Sequence, residues 1–423
     1  MTPDLPIVTD IDKVDYYKPK MQQFILEHHP RARVRFAFHN RHANRVPLQK
    51  TVDVGELREH VAHARTLRYT NAGTEFLRES EFIPKGTFRE PYLQFRETFQ
   101  LPELNIDIAP DRFVIEAESE WLYSSPWETL VMNIVNQLHY RRILKDSGLS
   151  LEDAWVEGRR RLMEKIELLK QHPWIKFSSF GLRRAFANML LDRIDEILAN
   201  ELPNQLVGIS DVQNARRFGK RPVGTIAHEM FMVVAALLGL DDEGLRKASP
   251  QVLEKWLGMY GPDGTTAIPD TFGSESFLED IFANYPHIAR QLITYKIDSG
   301  DPFERGDLHI RSFQNAGIDP LTRKLLFCDG LDVPAMIKLH DYFNGRVGLA
   351  PFGPGTNFSN DFGSPFIPVS MVMKAAYVWC NGIWVPCVKL SDNLEKAFGP
   401  QDEVERYVRV HGYRNRYRQA CIV

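Results

Sequence analysis

The chain has 423 residues, of which 43% are hydrophobic and 25% charged, which is ordinary for a folded protein with one large core or two smaller ones and excludes a disordered chain. Its formal net charge is -3, whereas proteins that bind nucleic acid or anionic membranes are usually strongly basic. We therefore expect neither nucleic acid nor a membrane as a partner.

The absence of a targeting signal and the spacing of the cysteines predict a reducing compartment. No apolar run of about 18 residues occurs, and the N-terminus MTPDLPIVTDIDKVDYYKPK lacks the apolar segment of a signal peptide, so we expect a cytoplasmic protein. Cys328, Cys380, Cys387 and Cys421 show no CxxC spacing. They predict buried, reduced thiols, with neither a zinc site nor a disulfide framework.

The first 150 residues mix short apolar stretches with charged turns, which predicts a mixed α/β domain. Near its end, the spacing of apolar residues in WETLVMNIVNQLHYRRILK predicts a long helix over 127–145 that leads into the next domain.

From about residue 150, strand-like apolar runs alternate with amphipathic helical stretches, which predicts parallel β/α units. About eight such runs occur, the number that a β/α barrel requires. They are WIKFSSFG, NQLVGIS, RPVGTI, TAIPDTFG, LITYKI, KLLFC, RVGLAPF and VSMVMKAAYVW. Since barrel active sites are built from the loops after the strands, the turn residues become the functional candidates.

The turn GTIAHEMF predicts a reactive histidine. We expect Thr225 to be the N-cap of a helix whose first turn holds His228, beside unpaired backbone N–H groups and the positive end of the helix dipole. Such a site favours a neutral, nucleophilic imidazole that can receive a phosphoryl group. The alternative is a structural histidine; the HExxH zinc pattern fails at Met232.

Two further turns carry acidic groups. In DSGDP, Asp301 is expected to cap a helix with Pro302 in its first position, while Asp298 can bind ribose hydroxyls or a magnesium-pyrophosphate group. CDGLD either serves similarly or caps the next helix.

Anion sites are predicted at FGPGT and FGLRR. Gly353 and Gly355 allow backbone N–H groups to approach a phosphate, and Thr356 adds a hydroxyl. FGLRR places an aromatic ring and two arginines at a strand end, which suits a flat anionic ring or a phosphate; its alternative is the solvated start of a helix. Later, Asn381-Gly382 predicts a type I′ hairpin holding Lys374 and Lys389 on adjoining strands.

Nine segments in this order resemble nicotinate phosphoribosyltransferase, a type II phosphoribosyltransferase. They are DYYKPKM (15–21), FGLRR, QLVGIS, GTIAHE, DTFGS, DSGDP, CDGLD, FGPGTNFSND and the lysine-bearing hairpin through KLSD. The resemblance covers most of the chain. It implies an α/β fold with an irregular β/α barrel over 151–395, a smaller N-terminal α/β domain over 1–150, and a tail, 396–423, that packs back on the N-terminal domain. It also implies a homodimer in which the N-terminal segment of one chain completes the active site of the other.

The resemblance also implies a reaction in NAD biosynthesis. Nicotinate and phosphoribosyl pyrophosphate give nicotinate mononucleotide and pyrophosphate, while ATP phosphorylates His228 and is hydrolysed to drive synthesis. Magnesium on the pyrophosphate would neutralise the leaving group, and no residue of the chain is assigned as a metal ligand.

Roles for individual residues follow from the same resemblance. Tyr17 and Phe180 would sandwich the pyridine ring, with Asp15 near them and Arg183 as an anion contact. The remaining roles are a substrate contact by Thr225 beside the catalytic His228, ribose binding by Asp298, which is also assigned as catalytic, a substrate contact by Lys296, and binding of the 5′-phosphate by Gly353, Gly355 and Thr356.

The sequence departs from the family pattern at three positions. Lys296 stands where a substrate-binding arginine is usual, and lysine loses the fork that matches a carboxylate. Met230 and Cys328 replace a common tryptophan and serine. Two alternatives therefore stay open: a related transferase that uses nicotinamide or another pyridine, and a non-catalytic nucleotide-binding homologue.

Overall fold

The computed structural model describes residues 6–41, 43–109 and 112–414, which form three sheets and their covering helices. The strands are β1 (Arg33–Asn40), β2 (Asn105–Ala109), β3 (Arg112–Glu120), β4 (Phe177–Ser179), β5 (Leu206–Ile209), β6 (Arg221–Pro222), β7 (Thr266–Ala267), β8 (Thr294–Ile297), β9 (Lys324–Phe327), β10 (Gly348–Leu349), β11 (Met371–Cys380) and β12 (Ile383–Pro386). The helices are α1 (Tyr17–His28), α2 (Leu48–Thr51), α3 (Val54–Thr66), α4 (Asn71–Glu79), α5 (Glu90–Thr98), α6 (Trp121–Ser124), α7 (Trp127–Ser147), α8 (Leu151–Lys170), α9 (Asn188–Glu201), α10 (Val212–Arg217), α11 (His228–Leu238), α12 (Asp242–Tyr260), α13 (Ser274–Asn284), α14 (Pro286–Gln291), α15 (Pro302–Asn315), α16 (Val333–Phe343), α17 (Thr356–Ser359) and α18 (Gln401–Val410). Among these described helices, none combines the length and the apolar character needed to cross a bilayer.

The N-terminal domain is built on an antiparallel sheet with the order β12-β11-β1-β3-β2. Side chains of β1 alternate between buried and exposed faces, and Val34, Phe36 and Phe38 point into the core. The predicted long helix is confirmed as α7, which packs against β11. The hydrophobic face of the sheet is therefore covered by helices from both halves of the chain.

The hairpin β11-β12 corrects one sequence prediction. We expected VSMVMKAAYVW to be the eighth strand of the barrel domain 151–395, but β11 pairs antiparallel with β1 of the N-terminal sheet. Asn381 and Gly382 have φ values of 49° and 88°, as the predicted type I′ turn requires. Because that tight turn reverses the chain into an antiparallel neighbour, the segment cannot form a parallel β/α unit.

The predicted barrel is confirmed in irregular form. Strands β4-β5-β6 make one parallel sheet and β7-β8-β9-β10 make another, and a parallel bridge between Phe177 and Phe352 joins them. In the described part of the chain no ladder pairs β6 with β7, and α11 and α12 lie between these strands in the chain. Helix α11 is buried on nearly all sides because it packs against both α12 and β11.

The described part of the tail packs against α12 and the turn after β7, and its predicted packing on the N-terminal domain stays a prediction. Arg406 of α18 lies 3.2 Å from Asp242, and the rings of Tyr407 and Phe272 are 5.4 Å apart. Residues 415–423, including Cys421, lie outside the described residues. Of the other thiols, Cys387 is buried, Cys328 and Cys380 are partly buried, and all three are reduced.

Candidate active site

One cavity of about 1030 Å³ gathers residues from the barrel, the N-terminal segment and β11. Of the eleven site residues predicted from the sequence, ten line this cavity. They are Tyr17, Phe180, Arg183, Thr225, His228, Lys296, Asp298, Gly353, Gly355 and Thr356. The eleventh, Asp15, is 2% exposed and lies behind the wall, where its carboxylate is 3.4 Å from Arg183.

His228 is the first residue of α11, so Thr225 is not the predicted N-cap. Ala227 occupies that position and provides no side-chain cap, and residues 224–227 precede the helix without regular secondary structure. Gly224 has a φ of 129°, and a Cβ there would lie 3.2 Å from the backbone nitrogen of Tyr17. The glycine thus lets the turn carrying His228 approach the segment carrying Tyr17.

The hydrogen bonds of Thr271 set the tautomer of His228. The Thr271 hydroxyl donates to the carbonyl of Ile268 at 3.2 Å, so its oxygen accepts from Nδ1–H of His228 at 2.9 Å. The Nε2 lone pair then accepts from the ammonium of Lys389 at 3.0 Å. Burial, followed by the charge of Lys389, lowers the pKa of His228 to about 4. At neutral pH the imidazole is therefore uncharged, with its nucleophilic nitrogen at Nε2.

Two ionised carboxylates surround this imidazole. Asp298 lies 3.2 Å from Nε2 and 3.0 Å from Lys296; burial raises its pKa, but Lys296 and His228 hold it well below its usual value. Asp270 accepts from Ser299 at 2.7 Å and from Lys389 at 3.1 Å, and its pKa is likewise lowered, by Lys389 and His228 against the effect of burial. Both carboxylates can stabilise positive charge that develops on the imidazole.

Sequence reasoning missed Asp270, Thr271 and Lys389 as functional residues. All three lie in segments, DTFGS and KLSD, that carried the family resemblance, and Asp270 and Thr271 follow a barrel strand. The rule that barrel loops after strands build the site would have found the first two. Lys389 lies three residues beyond β12, not on an adjoining strand as predicted, and pairs with Phe398 in an isolated bridge.

A second group of side chains forms an aromatic and cationic wall. The Arg183 guanidinium lies 5.8 Å from the ring centroid of Tyr17 and 3.3 Å from Glu128. Phe180 is attached to the glycine-rich turn, since its N–H donates to the carbonyl of Pro354 at 3.1 Å. Burial raises the pKa of Asp15, and the hydroxyl of Ser210 donates to this carboxylate at 2.7 Å. This wall can hold a flat ring that carries a negative charge.

The three residues predicted in the turn FGPGT to bind a phosphate differ in their backbone hydrogen bonding. The N–H of Gly353 donates to the carbonyl of Phe327 at 2.9 Å, so this donor is already paired within the sheet. A Cβ at Gly353 would lie 2.6 Å from Sγ of Cys328, which explains the glycine by packing. Gly355 and Thr356 stand at the start of α17, where the first N–H groups of a helix have no partner within it. They remain the candidate phosphate contacts.

The cavity is cationic although the whole chain is slightly acidic. Among the described residues, eleven lysine and arginine side chains and six aspartate and glutamate side chains line it. Burial, then the charges of Lys389 and Arg41, lowers the pKa of Lys374 well below its ordinary value. Burial and Arg183 lower the pKa of Arg184 to about 10. Cations that repel each other in this way are stabilised by a bound polyanion.

Comparisons with known proteins agree with this geometry. Residues 13–136 match the model of the nicotinate phosphoribosyltransferase N-terminal domain, and residues 175–416 match that of the nicotinate phosphoribosyltransferase family. The solved structure of a nicotinate phosphoribosyltransferase from Porphyromonas gingivalis is 27% identical, covers 96% of this chain and 100% of its own, and has a TM-score of 0.85. One from Vibrio cholerae is also 27% identical, over 97% of this chain and 95% of its own, with a TM-score of 0.83. A structure from Saccharomyces cerevisiae, 24% identical over 97% of this chain and 100% of its own with a TM-score of 0.83, supports the fold alone.

Proposed function

The chain belongs to the nicotinate phosphoribosyltransferase family, and we propose that it couples synthesis of nicotinate mononucleotide to ATP hydrolysis through a phosphohistidine at His228. It is an enzyme of NAD biosynthesis, and its family implies nicotinate and phosphoribosyl pyrophosphate as substrates. The observation that carries the proposal is the neutral imidazole of His228, whose Nε2 faces a cation-lined cavity.

The phosphoryl step uses the Nε2 lone pair. This nitrogen attacks the γ-phosphorus of ATP, the bond to the bridging oxygen breaks, and ADP leaves with the electron pair. Nδ1 keeps its proton, which it donates to the hydroxyl oxygen of Thr271. Asp298 stabilises the positive charge of the phosphorylated ring. Lys389 occupies the lone pair before the reaction, so it must move to the phosphoryl oxygens as the new bond forms. Water then attacks phosphorus, which releases phosphate and restores neutral His228.

The ribosyl step needs positioning more than a strong base. The pyridine nitrogen of nicotinate attacks C1 of the ribose while the bond to pyrophosphate breaks, and the ribose carbon carries positive charge in the transition state. Tyr17 and Phe180 would hold the ring, Arg183 the carboxylate and Asp298 the ribose hydroxyls. Gly355 and Thr356 would bind the 5′-phosphate.

Magnesium would be held mainly through the phosphates of the substrate. The described residues contain no cluster of three or more His, Cys, Asp or Glu side chains that could cage an ion. Mg²⁺ commonly takes one or two carboxylates and completes its shell with substrate phosphates and water. Asp298 and Asp329 follow the neighbouring strands β8 and β9 and line the cavity, so they are the carboxylates we propose. When bound, the ion would neutralise charge on the departing pyrophosphate.

The side chain of Lys296 bears on the choice of acceptor. Its ammonium lies 3.0 Å from Asp298, so its charge is committed to that carboxylate. Arg183 lies beside Tyr17 and faces Asp15 at 3.4 Å and Glu128 at 3.3 Å, but its planar guanidinium spreads its donors over three nitrogens, so it can also bind a pyridine carboxylate. This arrangement favours nicotinate over nicotinamide despite the lysine substitution.

The N-terminal segment supports a site built within one chain. Tyr16 N–H donates to the carbonyl of Ser210 at 2.7 Å, and Tyr17 lines the cavity of its own chain. The residues described above are thus brought together without a second copy. Two predictions from the sequence stay predictions. They are a homodimer in which a partner segment completes the site, and a cytoplasmic location.

A product assay tests this function. Purified protein with phosphoribosyl pyrophosphate and magnesium is offered nicotinate or nicotinamide, with and without ATP. We expect nicotinate mononucleotide, stimulated by ATP, and expect His228→Ala to abolish ATP hydrolysis while leaving a folded protein. His309→Gln is the matched control, because His309 is also buried with a pKa near 4 but lies outside the cavity. Full ATP-coupled activity in His228→Ala would overturn the role of the histidine.

A further inference from the structure

A buried ion network at the cavity wall joins three helices. Lys18 of α1 is 1% exposed, and its ammonium lies 2.7 Å from Glu128 of α7 and 2.7 Å from Glu229 of α11. A third proton reaches the hydroxyl of Ser125 at 3.2 Å. Burial lowers the pKa of Lys18, but the two carboxylates raise it further, so the ammonium stays charged. All three of its donors have partners.

Glu229 fixes the start of the helix that carries His228. Its second oxygen accepts from the indole of Trp121 at 2.7 Å, and only 7% of the residue is exposed. Helix α11 has no side-chain N-cap at Ala227, so its first turn lacks the usual anchor. The bonds of Glu229 to Lys18 and Trp121 provide an anchor instead.

Glu128 makes the corresponding connection to the pyridine-facing wall. Its carboxylate lies 3.3 Å from Arg183, and the hydroxyl of Tyr17 is 3.5 Å away. Burial opposes ionisation, but Lys18 and Arg183 hold the pKa of Glu128 to about 2. The side chain is therefore a permanent anion at physiological pH and orients the guanidinium.

We propose that Lys18 is a positioning residue that ties the pyridine-facing side chains Tyr17 and Arg183 to the first turn of α11, which carries His228. One ammonium holds both carboxylates in place, so its removal releases both ends of the network, whereas neutralising one carboxylate leaves the other paired with Lys18. This inference rests on the proposed function, because it assigns the two ends of the network to the acceptor site and the phosphohistidine site.

Three substitutions separate the two ends. Glu128→Gln should raise the KM for nicotinate about tenfold and leave ATP hydrolysis within about twofold, since it removes the charge that pairs with Arg183 and leaves Glu229 paired with Lys18. Glu229→Gln should lower the rate of ATP hydrolysis about tenfold and leave the KM for nicotinate within about twofold. Lys18→Met should do both, and Lys18→Arg should restore part of each loss because it keeps the charge.

Lys13 offers a matched control. It belongs to the same N-terminal segment, is 8% exposed, and pairs with Asp192 at 2.7 Å and Asp211 at 2.8 Å, but it does not line the cavity. Lys13→Met removes a comparable buried ammonium without touching the proposed connection. Its effects on stability therefore calibrate those of Lys18→Met.

Each outcome decides something. If Lys18→Met changes both kinetic parameters no more than Lys13→Met does, the inference is wrong. If Lys18→Met does not fold, Glu128→Gln and Glu229→Gln decide the question, because each leaves Lys18 one carboxylate partner. The inference is then contradicted if both variants change the KM for nicotinate and the rate of ATP hydrolysis alike. A wild-type enzyme whose product formation ignores ATP would overturn the proposed function instead, whatever the variants do.

Discussion

The ammonium of Lys389 lies 3.0 Å from Nε2 of His228 and 3.1 Å from Asp270. It therefore covers the nucleophilic lone pair and stands where phosphoryl oxygens would arrive. We expect Lys389→Met to lower ATP hydrolysis about 100-fold, because a positioned donor is lost from the charge that develops. Turnover of ATP by this variant at the wild-type rate would exclude the role. Thermal unfolding identifies any loss that comes from leaving Asp270 unpaired.

Thr271 gives a test of the tautomer. Thr271→Val keeps the shape but removes the acceptor for Nδ1–H of His228, so the proton is free to move to Nε2 and block the nucleophile. We expect ATP hydrolysis to fall about tenfold or more, with recovery in Thr271→Ser, which keeps the hydroxyl. The measurement is the initial rate of ADP release. Equal rates in the valine and serine variants would contradict the assignment.

The pH dependence of stability follows from buried histidines whose pKa is lowered. Burial is the main cause at each of them, and their pKa is about 4: His29, His60, His139, His228, His309 and His411. Their unfolded value is near 6.5, so the unfolded chain binds more protons than the folded one between about pH 6.5 and 4. The stability they contribute is present above pH 6.5 and is lost as pH falls toward 4.

Five aspartates oppose this trend, because burial also raises the pKa of Asp10, Asp15 and Asp211. Burial raises the pKa of Asp195 to about 7 and of Asp392 to about 6, so in the folded state they take up protons in the same pH range. The six histidines outnumber these five aspartates, and we expect the melting temperature to fall from pH 7 to pH 5. Thermal unfolding at constant ionic strength measures it. A melting temperature that rises over this interval would show that the aspartates dominate.

Much of the barrel and its site could be predicted because the signals were local. Apolar runs followed by polar turns located β4 to β10, and Asp301 caps α15 as predicted, accepting from Phe303 and Glu304. The hairpin β11-β12 was misplaced because an alternating strand does not encode its partner, and β1 lies more than 300 residues earlier in the chain. The ion network of Lys18 could not be predicted from the sequence for the same reason, since Glu128 and Glu229 approach Lys18 only through tertiary packing.

The packing at Gly353 predicts a substitution that one partner can rescue. Gly353→Ala places a Cβ 2.6 Å from Sγ of Cys328 and should cost about 1–3 kcal/mol of unfolding free energy. Adding Cys328→Ala should recover part of this loss, although the Phe180 ring at 3.3 Å remains. Gly258→Ala is the control: this helical glycine has open space around it, so the change should stabilise by about 0.5–1 kcal/mol. An equal loss with and without Cys328 would refute the contact.

Substitutions of Arg183 and Lys296 show which of these two cations contacts the carboxylate of nicotinate. Arg183 lies beside Tyr17, whereas Lys296 is paired with Asp298, so Arg183→Lys should raise the KM for nicotinate about tenfold by removing the planar fork. The same variant should change nicotinamide turnover little, because that acceptor carries no charge. Lys296→Arg keeps the ion pair, and we expect its KM for nicotinate to stay within about threefold of wild type. Parallel kinetics with both acceptors measure the ratio of kcat/KM. If Lys296→Arg instead improves nicotinate use by tenfold or more, residue 296 contacts the carboxylate and the lysine has weakened that contact.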